Sequence, residues 1–581
     1  MQLKKIWSMK LWAWAIFSTL ALVIGCGVTD KHIPSDIPSS PTGPEPVKKI
    51  NFITLVVDDM GWSDCSFLGG EIHTPHIDQL ADNGVTFTQF YGAATSSPSR
   101  SMLFTGKDCH QVGAGTMCGY ILPQTKGKPG YECYLARYAP VFAELLQQEG
   151  YHTLYTGKWH LGMEADQTPD ARGFSVARGV ALEGAEQFFA NEDGSNIPAF
   201  PPGAYKRHNR KSFWNENGKE VTQLPTDFYA TDYITDKAIE MLKERPKEKP
   251  FYLNLAYTAV HFPLQAPDSV TQKYMKLYEK GWDQIRKERF ERQKAMGYFP
   301  ENAILPPRPD VPAWNTLSPQ EKQIQIKKMA VYAAMLDIMD KNIGRLIDYL
   351  KEIGEYEDTL IFFTSDNGGC AGDPAVDKGY YMVEWIKNNF DNSLASIGTR
   401  RSYTGLGRGW GMAVNTPFNK AKATMYEGGV HVAAFAHYPK AGFSNSRYEC
   451  VSSIMDIAPT ILELAGVKYP STYEGNPLSP MQGVSLARIF KEDPAKSACS
   501  DDRYIGWEFV GVKGLRNGPF KLSQEAGDPD FHLFNLIDDP YESKDLSTRN
   551  PGKLSEMKKV YETYRDKNGV VEIPNTILEE H

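Results

Sequence analysis

Two runs constrain the fold of this chain more than any other feature. Ile50 to Val57 reads INFITLVV, and Thr359 to Thr364 reads TLIFFT. Both are continuously apolar and β-prone rather than alternating. That is the pattern of a strand covered on both faces, as in a parallel sheet packed between helices. Each run ends on acid, the first in Asp58-Asp59 and the second in Ser365-Asp366-Asn367-Gly368. In open sheets of this kind, ligands gather outside the carboxyl ends of strands. Two adjacent carboxylates at that point are unfavourable unless a cation or solvent offsets them. Taken alone, Asp58-Asp59 before Gly61 also reads as an Asp-rich turn, and nothing in the spacing brings the two acid pairs together.

The stretch Ser96 to Gly106, SSPSRSMLFTG, follows a strand-like run, Val85 to Phe90, and opens a helical pattern. Pro98 lies near the first helical turn, where a missing N–H is harmless. Arg100 comes four residues after Ser96 and faces back along the same side of the helix. A small nucleophile therefore sits at a helix N-terminus beside a fixed cation, a setting that suits an anionic group. Ser96, Pro98, Ser99, Arg100, Leu103, Thr105 and Gly106 together resemble the signature of the formylglycine-dependent sulfatases, in the alkaline phosphatase superfamily. The first signature residue in that family is Cys or Ser, oxidised to the aldehyde Cα-formylglycine. With Ser96 there, the chain resembles the serine-type branch, whose members are matured by an anaerobic radical enzyme.

The resemblance is dense over most of Lys49 to Val467. It includes FLGGEIHTPHIDQLADNGVTFTQFY (Phe67 to Tyr91), the helical spacing of Met329 to Leu350, and Asp456, Pro459 and Thr460. Segments within Glu279 to Trp314 look most similar to bacterial arylsulfatases. The resemblance implies that Asp58, Asp59, Asp366 and Asn367, with the group at Ser96, hold a divalent cation. Their hard oxygen donors suit calcium or magnesium rather than zinc, with calcium favoured because it tolerates a looser carboxylate-rich shell. YTGKWHLG, Tyr155 to Gly162, matches a family element carrying Lys158 and His160. These two alternate, so an extended segment would point both to one side. His261, at the end of FYLNLAYTAVH, and Lys422, four residues before Tyr426 of the EGG turn, match further site positions. His431 departs from the commoner Arg, which puts that side chain's contact in doubt.

The implied mechanism hydrates the aldehyde to a geminal diol. One hydroxyl attacks sulfur, and His160 takes a proton from the other to expel sulfate. His261 and Lys422 contact the sulfate or protonate the leaving oxygen, while Lys158, Lys422 and Arg100 help the cation stabilise the oxyanions.

The 581 residues can bury a large core, and the net charge of −8 gives no basic footprint for nucleic acid. Lys4, Lys5 and Lys10 precede an apolar run, Leu11 to Gly25, that ends in VIGC. This reads as an export signal and resembles a bacterial lipobox, with Cys26 lipidated. Residues 27–49, rich in Pro and Ser, read as a tether. Removing Cys26 leaves seven of the eight cysteines, an odd number, with a local disulfide open among Cys109, Cys118 and Cys133. Residues 165–225 and 266–317 lack strong patterning and read as insertions rimming a site. The tail alternates short β-prone runs with turns, suggesting a small antiparallel sheet.

The expected architecture is thus α/β. A large mixed, mostly parallel sheet is sandwiched by helices, alkaline-phosphatase-like by resemblance, with a small C-terminal antiparallel-sheet subdomain. The expected division is signal 1–26, tether 27–49, catalytic domain 50–500 and C-terminal subdomain 501–581. The expected activity is hydrolysis of sulfate monoesters, aryl or carbohydrate, by an exported periplasmic or outer-membrane lipoprotein. Its partners are a sulfated substrate and, transiently, a maturase, with membrane contact only through Cys26. The alternatives are a phosphomonoester or phosphonate-ester hydrolase of the same superfamily and a non-catalytic binder of sulfated glycans.

Overall fold

The computed structural model describes residues 49–574 except 118–119, 184–186, 188–211, 381, 498 and 500–502. The export signal, Cys26, Cys118 and all but the last residue of the tether lie outside the described residues.

Four parallel strands form the centre of a ten-stranded sheet. They are β1 (Asn51–Val57), β2 (His152–Lys158), β3 (Phe251–Ala256) and β4 (Thr359–Ser365), in the order β4-β1-β3-β2. Every residue of β1, β3 and β4 is buried. The alternation divides their side chains between two layers. Ile53, Leu55, Val57, Ile361 and Phe363 belong to one core, shared with the long helix Pro319–Glu352. Phe52, Val56, Leu360 and Phe362 belong to the other, shared with Met102, Leu103 and Phe104 of helix α1 (Ser96–Thr105). The continuous apolar runs are therefore strands with a helical layer on each face. Beyond β4, the sheet continues through the antiparallel strand Ala434–His437 to Val85–Phe87 and Ser446–Tyr448. Beyond β2, it continues through Val176–Ala181 to the hairpin Trp214–Glu216 and Lys219–Glu220.

The long helix begins ten residues before the apolar spacing that announces it. Pro319 occupies its first turn, and Ser318 and Glu321 form a reciprocal capping box, with Glu321 N–H donating to Ser318 Oγ at 3.3 Å and Ser318 N–H to Glu321 Oε2 at 2.8 Å. The stretch 266–317, which lacks strong patterning in the sequence, contains the helices Asp268–Tyr278 and Gly281–Ala295. The second hides from apolar-periodicity reading because its buried face carries Arg286, Arg289 and Gln293. Arg289, fully buried, donates to Glu71 at 2.7 and 2.8 Å and to Asp64 at 2.8 Å.

The tail forms a four-stranded antiparallel sheet, Tyr504–Phe509, Val512–Asn517, Phe520–Gln524 and His532–Asn535. Helix Pro551–Asn568 covers it, setting Met557, Tyr561 and Tyr564 against Leu515, Leu522 and Leu533. Cys450 and Cys499 form a disulfide across 49 positions. Cys109 is a buried thiol and takes no part in the local pair that the spacing left open. Among the described residues, no helix is long and apolar enough to cross a membrane.

Candidate active site

Strand register brings the two acid pairs together. Val57 pairs with Ser365, so Asp58 and Asp366 leave neighbouring strands at one level, and Asp366 N–H donates to the Val57 carbonyl at 3.0 Å. Val56 pairs with Ala256 and Ala256 with Gly157, which brings Lys158 at the end of β2 to the same rim. The chain turns at Asp59 with φ 60°, and the Asp59 N–H donates to Asp366 Oδ1 at 3.2 Å. The two Gly-containing turns then meet backbone to backbone. A Cβ on Gly368 would lie 1.8 Å from the Gly428 carbonyl oxygen, so only glycine permits the Gly368 N–H to reach the Gly429 carbonyl at 2.9 Å.

Ser96 is the first residue of α1 and points into this rim, 1% exposed. Its Oγ lies 3.2 Å from Asp58 Oδ1, 3.3 Å from Asn367 Oδ1 and 3.5 Å from Lys158 Nζ. Three buried carboxylates face three cations. Lys158 Nζ is 2.6 Å from Asp58, Lys422 Nζ is 2.6 Å from Asp59, and the Arg100 guanidinium is 2.9 Å from Asp366. Burial pushes the Asp58 carboxyl up, but Lys158, His261 and Arg100 outweigh it and hold it below its ordinary value. For Asp59, His261 and Lys422 overcome burial in the same way. Burial also pushes the Lys422 ammonium down, but Asp59 reverses this and keeps it charged.

The residues brought together are the ones expected, with two adjustments. Arg100 spends its donors inside the protein. Nε and one terminal nitrogen reach Asp366 at 3.0 and 2.9 Å, and the other nitrogen reaches the Lys158 carbonyl at 2.7 Å. It braces a carboxylate and the end of β2. His160 does not share an extended segment with Lys158, since β2 ends at Lys158 and His160 takes a left-handed conformation with φ 58°. What aims it is a backbone bond from its N–H to Leu182 at 2.9 Å. Its Nδ1 is buried with no hydrogen-bond partner. Burial, reinforced by Lys158 and Arg100, holds the imidazole well below its ordinary pKa, so it is neutral and can accept a proton. His261 Nδ1 faces the Phe262 carbonyl at 2.6 Å and therefore carries the hydrogen, leaving Nε2 3.4 Å from Asp59 Oδ2.

His431 occupies the position where an Arg is commoner, with its Nδ1 2.8 Å from Glu427 Oε2 and its Nε2 2.9 Å from the Thr88 carbonyl. Sequence reasoning did not find the residues of the small sheet that grip the loop bearing Lys422. Lys521 pairs with Glu427 at 2.7 Å and Glu542 at 2.9 Å, Glu525 accepts from the Met425 N–H at 2.8 Å, and Trp507 Nε1 donates to the Gly92 carbonyl at 2.8 Å. These lie in a tail with no local motif to mark them.

Asp58, Asp59 and Asp366 can each present a carboxylate oxygen within 4.8 Å of the others. With Asn367 Oδ1 and Ser96 Oγ beside them, this all-oxygen, carboxylate-rich set fits a hard divalent cation.

The sequence model of the sulfatase family matches residues 50–467. The chain belongs to the sulfatase family. This sulfatase is 35% identical over 447 residues to an arylsulfatase of Klebsiella aerogenes, covering 77% of this chain and 92% of the relative. It is 36% identical over 547 residues to an uncharacterised sulfatase of Schizosaccharomyces pombe, covering 92% and 96%. Among solved structures, Ps i-CgsB in complex with k-i-k-neocarrahexaose is similar with a TM-score of 0.61 and 26% identity, covering 92% of this chain and 96% of that one.

Proposed function

We propose that this sulfuric ester hydrolase acts through a formylglycine at position 96 and a bound divalent cation, calcium before magnesium, releasing inorganic sulfate and an alcohol. The observation that carries this is the position of Ser96 Oγ. It lies at a helix N-terminus, within 3.5 Å of Asp58, Asn367 and Lys158. Oxidised and hydrated, position 96 would supply two geminal hydroxyls, one to attack sulfur and one through which sulfate is released. A cation held by Asp58, Asp59, Asp366, Asn367 and position 96 would lower the pKa of the attacking hydroxyl and draw charge from the sulfonyl oxygens.

The protein's own residues carry the remaining steps. Lys158 is fixed by Asp58 and Lys422 by Asp59, and both offer N–H donors to the sulfonyl oxygens. Lys422, charged and partly exposed, is the donor best placed for the departing oxygen. His261 presents Nε2 on the same side. Neutral His160 accepts the proton whose removal frees the sulfate, a role typically worth about 10²–10⁴-fold in rate.

Sulfated carbohydrate is the favoured natural substrate. The oligosaccharide bound by the similar i-CgsB structure supports this, and so does the reading of residues 1–49 as the signal and tether of an exported lipoprotein anchored through Cys26, which would face the periplasm or the cell exterior. A radical maturase is the expected transient partner.

Peptide mass spectrometry on protein made in an anaerobic host tests the central step. A peptide containing position 96 should be lighter by one molecule of hydrogen and react with aldehyde reagents. Active protein with wholly unmodified Ser96 would overturn the mechanism. Ser96→Ala should be inactive on 4-nitrophenyl sulfate, and chelation should abolish activity, with calcium restoring it. Faster turnover of 4-nitrophenyl phosphate than of the sulfate would move the assignment to a phosphoester hydrolase.

A further inference from the structure

The catalytic side chains are nearly all sealed in. Ser96, Asp58, Asp59 and Arg100 are at most 1% exposed, whereas Lys422 and His261 keep 14% and 13% of their side chains open. A bound ester therefore lays its leaving group along the Lys422–His261 side, and what surrounds those two residues decides which leaving groups fit. That surround is aromatic. Phe262, partly exposed, follows His261 directly, with ring centroids 4.2 Å apart. Tyr380 meets Phe262 edge-on at 5.7 Å, and its hydroxyl lies 3.8 Å from the partly exposed Cys370 thiol. Tyr120, 37% exposed, is propped edge-on against Phe509 of the small sheet at 5.4 Å and is close enough to Lys422 to feel its charge.

These three aromatics come from three separate loops and converge on one opening. None is needed to hold the carboxylates or cations in place. Each retains exposed surface, which in large aromatic side chains at the mouth of a buried charged pocket marks a contact face for a ligand. A ring, whether aryl or the C–H face of a hexose, matches such faces, whereas a short open chain does not cover them.

We infer that Phe262, Tyr380 and Tyr120 form a leaving-group subsite that selects sulfate esters of ring-shaped alcohols. This rests on the sulfatase reading of the same pocket. Phe262 and Tyr380 form the wall beside His261, and Tyr120 stands beside them near Lys422. Their energetic share is that of ring packing, so loss of one ring should lower kcat/KM by about tenfold.

The test compares three esters in matured enzyme: 4-nitrophenyl sulfate, glucose 6-sulfate and ethyl sulfate. The last two share an alkyl leaving oxygen and differ in the ring. Phe262→Ala and Tyr380→Ala should each lower kcat/KM about tenfold on the ring esters and leave ethyl sulfate within about twofold, with Tyr380→Phe near wild type. Loss on only one of the two ring esters would identify aryl or sugar as the ring selected. An equal loss on all three esters, or no loss on any, would overturn the inference.

A readout without turnover separates this inference from its parent. In Ser96→Ala protein, 4-nitrophenyl sulfate or glucose 6-sulfate should protect Cys370 from N-ethylmaleimide, scored by peptide mass, and ethyl sulfate at the same concentration should not. Absence of any ester hydrolysis in matured enzyme would refute the catalytic reading. Equal labelling of Cys370 with and without ring esters would refute the subsite.

Discussion

At the residue scale, the site is a set of charges that hold one another. Arg100 illustrates this best, because its hydrogen bonds go to Asp366 and the Lys158 carbonyl. Its planar fork is what a lysine cannot reproduce. Arg100→Lys should keep the charge but lose the brace on Asp366, weakening cation affinity about 10–100-fold, as loss of a supporting contact typically does. Calcium titration of activity, checked by calorimetry, would measure this; unchanged affinity would show that Asp366 needs no brace. The sequence made Ser96, Arg100 and the acid pairs visible because each stands in a recognisable local string. It could not show that Arg100 turns inward, or that His160 sits in a left-handed turn, because both depend on partners far away in the chain. Asp59 and Asp366, 307 positions apart, meet only because of strand register.

At the element scale, the strands were legible and the polar-faced helix Gly281–Ala295 was not. Arg289 takes the place of a core apolar residue there by pairing with Glu71 and Asp64, so the 3.6-residue apolar rhythm is absent. The small sheet acts as a clamp on the Lys422 loop, and fully buried Lys521 is its central rivet. Lys521→Met removes one partner from a buried cluster, for which a loss of about 3–5 kcal/mol is usual. Urea denaturation should register that loss, and kcat should fall with it as Lys422 loses its fixed position. A stable variant with full activity would show that the clamp is dispensable. The Cys450–Cys499 disulfide, which no motif marked, should contribute about 2–4 kcal/mol, read as the fall in urea midpoint of Cys450→Ser.

At the scale of the whole molecule, a second buried charge cluster ties the segment after α1 to the last elements of the chain. His110 lies between Asp108, 2.8 Å from Nδ1, and Glu508 of the small sheet, 3.1 Å from Nε2. Tyr564 of the C-terminal helix donates to Asp108 at 3.0 Å, and Tyr131 to Glu508 at 3.3 Å. Burial pushes the imidazole down, but Cys109, Tyr131 and the Asp108 hydrogen bond outweigh it and hold it well above its ordinary value. A raised pKa in the folded state stabilises fully below the unfolded value of about 6.5, and the gain is lost as pH climbs through the folded value. The gap in thermal midpoint between wild type and His110→Gln should therefore be widest near pH 6 and shrink towards pH 9. A gap that widens with pH would reverse the assignment.

The burial of Ser96 also sets a timetable. A residue 1% exposed, enclosed by the side chains at the strand ends, is out of reach of another enzyme's active site once folding is complete. On the proposed formylglycine mechanism, the oxidising enzyme would have to act on the nascent or unfolded chain. Purified folded protein that escaped modification should stay inert to a maturase, while the same chain unfolded in urea and diluted into the reaction should be converted. On the proposed formylglycine mechanism, the chemistry of the finished enzyme is then decided in the interval between synthesis and folding.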